Sequence, residues 1–391
     1  MTRNQIFATL ILCIAFSNSA LSQTGSIRGR VYNEVNNEPI PFANVIIENT
    51  QMGEVTDEDG KFRIDNIKPG IYNLTISFLG FQTAYLNEIQ VGSTATVELD
   101  ISMVEESALL DQVVLNTNRI EKSEESPVSK QTIGVTEIFR NPGGNRDISR
   151  VVQILPGVAT TLAFRNDLIV RGGAPNENRF YLDGIEIPNI NHFATQGSSG
   201  GPVGMINVNF IRNVDFYSGA FPANRGNTVS SLMEFEQITG SREKFGGSFM
   251  IGSSDIGLTL NGPTGKNSSF ILSARRSYLQ FLFEALKLPF LPTYNDFQYK
   301  HFFEIDDKNQ LIITGIGAID NFELNEGVND GETDQETIDR NNYILGNLPV
   351  NEQWNYAIGA NWKHFSKNSF QNVVVSRNHL NNSAIKYKDK V

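Results

Sequence analysis

The chain has 391 residues and a single cysteine, Cys13. That residue sits inside an apolar N-terminal run, IFATLILCIAF at 6–16, which follows Arg3 and precedes Ala20-Leu21-Ser22. A short basic start, a short apolar stretch and small residues at the cut have the form of a secretory signal, so 1–22 is expected to be removed before Gln23. A lipoprotein site needs a small residue just before the cysteine, and Leu12 stands there. Without Cys13 the mature chain has no thiol, which excludes disulfides, cysteine-ligated metals and thiol catalysis. Basic excess is missing too. With Arg3 gone, 31 Lys and Arg face 43 Asp and Glu, a net charge of −12. A nucleic-acid binder needs a basic face, so nucleic acid is not an expected partner. Past residue 22 no run suits a membrane helix. The nearest, FLFEALKLPFLP at 281–292, is short, carries Glu284 and Lys287, and is broken by Pro289.

Histidine is scarce. His192, His301, His364 and His379 are the four, none in HExxH spacing, and no GxSxG occurs. An enzyme therefore has little to work with, and no cofactor or metal is expected. His192, in NINHF, could touch a ligand, although a loop histidine without a partner is more often structural.

Abundant turn chemistry fills the first part of the mature chain. Over 23–104, short runs such as IRGRVYN, FANVIIENT, KFRIDNI, IYNLTISFLGF and ATVELDISM alternate with Gly, Pro and Asn turns, the pattern of an all-β sandwich. Leu74, Ile76 and Phe78 alternate, so one face of that strand is buried. Asp57-Glu58-Asp59-Gly60 reads as a tight turn rather than a calcium loop, which needs more widely spaced carboxylates and a distant Glu. The succession GRV, PIPFANV, VTDEDGKF and PGIYNLTISFLGF resembles the carboxypeptidase-regulatory-like domain. The resemblance implies a transthyretin-like sandwich without a catalytic centre.

Residues 105–125 are charged and polar around one apolar stretch, LLDQVVL, the composition of a linker. An isolated strand-former in a linker suits capture by β-augmentation; the plain alternative is an edge strand of the preceding sandwich. Residues 126–240 mix elements. Ile148, Val151, Val152 and Leu155 have helical spacing, with Asn145 or Asp147 as cap and Pro156-Gly157 as stop. Short strands LIVRGG and RFYLDGIEI follow, the second bent at Asp183-Gly184, a strong hairpin signal. A Gly-rich loop, a short helix near INVNFI and the strand NVDFYSG complete a small α/β domain. Its RGG is too short for an RNA-binding tract, and GGAPNEN lacks the Lys-Ser/Thr of a phosphate loop.

From 241 to 391 strict alternation appears. Ile256, Leu258 and Leu260 share a face, as do Phe270, Leu272 and Ala274; Leu311, Ile313, Gly315 and Gly317; and Tyr356, Ile358, Ala360 and Trp362. Short connections (GPTGKNS, DDKN, SKNS) alternate with long ones near 281–296 and 321–350, the latter carrying seven acids against Arg340. Strands of about ten residues with this short–long rhythm are the signature of an outer-membrane barrel. About seven strands are expected, beginning with a hairpin of GSFMIGS and DIGLTLNGP.

Taken in order, ILPGV, VRGG, YLDGIEI and FIRNVDFYSGAFPANRGNTVSS resemble the plug domain of TonB-dependent outer-membrane receptors. The stretch LLDQVVLNT resembles their TonB box through Leu110, Asp111, Gln112, Val113, Val114 and Leu115, although Gln112 and Leu115 depart from the commoner Glu and Val. The expected fold is thus mainly β: a sandwich, a plug at 126–240, and the first part of an antiparallel transmembrane barrel that has about 22 strands when whole. An unclosed barrel leaves edges unpaired in lipid, so a fragment of a longer receptor is expected.

The resemblance implies active uptake across the outer membrane, with outer-membrane lipid around the barrel, the sandwich in the periplasm and the TonB energy-transducing protein as partner. The imported ligand would be a ferric siderophore, a glycan oligomer with a surface lipoprotein lidding the barrel, or cobalamin; a non-transporting binding or signalling role is the alternative. In the plug, Arg171, Gly172, Gly173, Asp183 and Gly184 are singled out. Glycines would allow hairpin loops to pack inside the barrel. Arg140, Arg146, Arg150, Arg165, Arg171 and Arg179 would either pair with barrel carboxylates or stay solvated, and Arg171 is expected to be buried and paired.

Overall fold

A computed structural model of the chain describes residues 24–92, 96–106, 129–141, 147–159, 165–195, 198 and 200–386. The signal segment 1–22, Arg146 and the TonB-box-like residues 110–115 lie outside the described residues. The chain divides into two compact units, 1–109 and 110–391. No helix among the described residues is long and apolar enough to cross a membrane.

In the first unit, β1 (Gly25–Asn33), β2 (Asn44–Ile47), β3 (Gly53–Val55), β4 (Lys61–Ile67), β5 (Gly70–Ser77), β6 (Ala84–Val91) and β7 (Thr96–Met103) form two sheets, ordered β4-β1-β7 and β3-β2-β5-β6. The alternation of Leu74 and Ile76 works as expected. Both are fully buried, in a core with Ile27, Val31, Val45, Ile47 and Ile67. Gly29 lets β1 and β7 approach, since a Cβ there would lie 2.0 Å from the Leu99 carbonyl oxygen. The Asp57 carboxylate is used inside its own turn, where Oδ1 accepts from the amides of Asp59 (3.0 Å) and Lys61 (2.7 Å).

The second unit opens with β8 (Lys130–Gly134), α1 (Val135–Arg140) and α2 (Ile148–Val152). Asp147 is the cap of α2 and accepts from the Ser149 amide. Then come the paired β9 (Val158–Ala159) and β10 (Ile169–Val170), the hairpin β11 (Arg179–Leu182) and β12 (Ile185–Ile187), the small pair β13 (Asn191–His192) and β14 (Val203–Gly204), and the longer β15 (Ile211–Tyr217) and β16 (Leu232–Gln237). A five-stranded sheet, β12-β11-β16-β15-β8, carries α2 on a core of Val151, Val152, Phe180, Val214, Phe216 and Phe235. Asp183 and Gly184 both have positive φ, 48° and 89°, and join Leu182 to its partner Ile185. This is the two-residue turn that Asp-Gly favours.

Seven strands follow in simple antiparallel sequence: β17 (Gly246–Ile251), β18 (Asp255–Gly265), β19 (Ser268–Ser277), β20 (Phe290–Asp306), β21 (Asn309–Leu324), β22 (Val350–Ser366) and β23 (Ser369–Ile385). Two-residue turns join β18 to β19, β20 to β21 and β22 to β23. The opposite rim bears the long connections, with α3 (Leu279–Ala285) and α4 (Gln335–Asn347). Two expectations need correction. The later strands run 16 or 17 residues rather than about ten. Their ladders continue past the apolar band, so strand occupies much of 290–296 and 321–324 that sequence assigned to loops. The acidic loop also contains a 13-residue helix, capped by Asp334 at the Thr337 amide.

The sheet is inside-out relative to a soluble protein. Leu258, Phe297, Ile319, Trp354, Ile358 and Trp362 are exposed on the outer face. Ser273, Asp296, Gln298, Lys300, Thr314, Asp320 and Asn361 are buried on the inner face, against the plug. Ile316, Ala318 and Ala357 complete the apolar core of the plug from the wall.

Leu74→Ala should destabilise the first unit by about 2–5 kcal/mol, because it removes a fully buried side chain and leaves a cavity. Denaturant unfolding followed by the fluorescence or circular dichroism of that unit would check this. A change below about 0.5 kcal/mol would contradict the assigned core.

Candidate functional site: the plug–wall interface

The turn between β11 and β12 reaches the wall. Asp183, whose side chain is buried, takes two hydrogen bonds from Gln237 on the neighbouring plug strand, from the amide to Oδ1 (2.9 Å) and from Nε2 to Oδ2 (2.7 Å). Three successive wall strands complete its surroundings. Lys300 of β20 sets its ammonium 3.3 Å from the carboxylate, Thr314 of β21 donates at 3.3 Å, and Asn361 of β22 donates to the Asp183 carbonyl at 3.4 Å. Lys300 also donates to the Gln237 carbonyl at 2.8 Å. Gln298 then bridges Gln237 (2.6 Å) and the Asn207 amide (2.8 Å), and Asn207 donates to Ser273 Oγ (2.8 Å). A buried carboxylate is tolerable only when its lone pairs and charge are met in this way.

Toward the long-connection rim lies a second cluster. His192 is wholly buried, with Nδ1 2.6 Å from Asp320 Oδ1 and Nε2 3.0 Å from Asp296 Oδ2. Its ring stacks on Tyr294 at 4.1 Å. The other Asp320 oxygen accepts from the Phe193 amide at 2.8 Å. Arg275 donates through Nε to Asp296 at 3.0 Å and through Nη2 to the plug carbonyls of Gly204 and Met205 at 2.9 and 2.8 Å. Burial alone would depress the imidazole pKa, but the Asp320 charge and the hydrogen bonds to Asp296 and Asp320 outweigh it, and the pKa is raised. The Gly-rich loop permits this approach: a Cβ on Gly201 would lie 1.8 Å from the His192 carbonyl oxygen. Asp147 sits behind the loop, accepting from Asn191 (2.8 Å) and Asn166 (2.5 Å). Burial raises its pKa above the usual carboxylate range.

Arg171 departs from expectation. Arg171 is exposed, in the left-handed region (φ 50°), and donates to Ser218 Oγ at 3.1 Å. It sits in the turn after β10, and no buried carboxylate among the described residues meets it. Arg165 pairs with Asp167 (2.6 Å) and Arg179 with Glu186 (3.6 Å), both inside the plug. Arg140 is exposed and Arg150 half-buried. The cations of the interface come mainly from the wall. Gly172 has φ 81°, and Gly173 leaves room for Ser230, whose Oγ would lie 2.3 Å from an added Cβ. The RGG stretch is therefore a close-packed turn. The NINHF sequence shows no partner for His192, whereas the fold gives it two carboxylates. Asp296, Gln298 and Lys300 belong to no sequence motif and are marked only as the polar half of the alternation in β20.

Comparison with known proteins finds two domain families along the chain. Residues 27–115 match the carboxypeptidase regulatory-like domain model, and residues 122–230 match the TonB-dependent receptor plug domain model. Residues 122–230 are thus a TonB-dependent receptor plug domain. It is 25% identical over 202 residues to the TonB-dependent receptor SusC of Bacteroides thetaiotaomicron, covering 48% of this chain and 19% of that protein. It is 23% identical over 257 residues to the TonB-dependent transporter Oar of Myxococcus xanthus, covering 60% of this chain and 22% of that one. The chain thus spans about a fifth of the length of each relative. Among solved structures, a ferric enterobactin receptor variant from Pseudomonas aeruginosa in complex with enterobactin is 13% identical, with a TM-score of 0.48, covering 67% of this chain and 42% of that one.

Replacing Lys300 with Met should cost about 3–5 kcal/mol of plug docking, the usual consequence of stranding a buried charge. Arg171→Ala should cost no more than about 0.5 kcal/mol, as a surface substitution does. The denaturant midpoint for plug release, read by protease cleavage within 147–240, would show the difference; equal effects would contradict the assignment.

Proposed function

We propose that this chain forms the front of a TonB-dependent outer-membrane transporter that takes up a scarce ligand too large for passive pores. The observation that carries this reading is the plug seated on the polar inner face of a sheet whose outer face is apolar. Such a sheet suits lipid outside and a removable stopper inside. On this reading 1–22 is a secretory signal, the sandwich at 23–104 lies in the periplasm, 105–125 is a tether, 126–240 is the plug and 241–391 is wall. Leu110, Asp111, Gln112, Val113, Val114 and Leu115 are offered to TonB as an added strand, and pulling there displaces the plug. No step makes or breaks a covalent bond.

A ferric siderophore is the first ligand to try, as the common cargo of such receptors. A glycan oligomer, delivered with a surface lipoprotein, is the second reading, with which the N-terminal regulatory-like domain is compatible. Uptake of each labelled ligand by cells carrying the full-length receptor would separate the two.

Val113→Pro should abolish uptake while leaving ligand binding at the wild-type level, because proline lacks the amide an added strand must donate. Uptake at the wild-type rate by that variant would reduce 110–115 to a plain linker.

A further inference from the structure

We propose that His192 is a proton-dependent latch, holding β13 of the plug to the wall only while its imidazole carries a positive charge. The inference stands on plug–wall geometry and needs no particular cargo or motor. A neutral imidazole has one N–H, whereas here both ring nitrogens lie within hydrogen-bond distance of different carboxylates, Asp320 at 2.6 Å and Asp296 at 3.0 Å. With one proton, a nitrogen lone pair would face a carboxylate oxygen. With two, both contacts are charge-assisted hydrogen bonds.

The neighbouring charges make the same demand. From β20 come Asp296 and Tyr294, from β21 Asp320, from β19 Arg275, and from β18 Asp255, which acts on Tyr294 and Arg275. Arg275 cancels one of the two carboxylates that touch the ring, and the imidazolium cancels the other. Asp147 lies behind the loop, where it accepts from Asn191. Without the proton, an uncompensated charge would remain where His192, Asp296 and Asp320 are all buried. The sign follows from the raised pKa. The stabilisation is fully present below the unfolded-state value of about 6.5 and is lost as pH rises through the higher folded-state value.

The test uses the full-length receptor refolded in lipid nanodiscs with ¹⁵N-labelled histidine. Two-bond ¹⁵N–¹H spectra report whether each ring carries one proton or two, and loss of a signal in His192→Asn assigns the residue. His192 should stay doubly protonated at pH 7.5, and in Asp320→Asn its midpoint should fall toward the ordinary range. In parallel, protease cleavage of the 188–206 loop should speed up about tenfold or more between pH 6 and pH 9, the factor that one pH unit of differential proton binding gives. A singly protonated ring at pH 7 would overturn the proposal, as would a cleavage rate flat across that range. Should Asp320→Asn fail to fold, the wild-type titration and cleavage profile decide alone.

Discussion

The second unit depends on the neutralisation of one carboxylate. Asp183 sits at the tip of a two-residue turn, the one place where a hairpin can push a charge beyond its own sheet. Its oxygens are shared between Gln237 of the plug and Lys300 and Thr314 of the wall. Because these wall residues lie on different strands, the turn ties them to a single point. The plug is thus held by directional contacts at its hairpin tip and its Gly-rich loop, while the apolar contact with Ile316, Ala318 and Ala357 fills the space between.

Much of this was legible from residue order. Alternating apolar residues located the wall strands and their outer face. Asp-Gly located the turn, and the sandwich followed from Leu74 and Ile76 with their turns. The partners were not legible, for a physical reason. Which plug residue meets Lys300 depends on how two separately folded sheets dock, over 117 positions of sequence. Arginine invited overinterpretation because it can pair anywhere. Arg171 lies beside two glycines that serve backbone geometry, and its own side chain donates to a serine hydroxyl. Histidine invited the opposite error, since a single ring in NINHF gives no sign of aspartates more than a hundred residues away.

The alternation in β20 has a consequence for assembly. Along that strand Asp296, Gln298 and Lys300 turn inward while Phe297 and Tyr299 turn outward. A slip of one residue in its register would exchange the two sets, exposing a carboxylate and an ammonium to lipid and pressing aromatic rings against Asp183 and His192. The lipid and the plug therefore proofread the same alignment from opposite sides. A wall that assembled without its stopper would lose one of those two checks and would have only the hydrophobicity of its outer face to tell correct pairing from a shifted one.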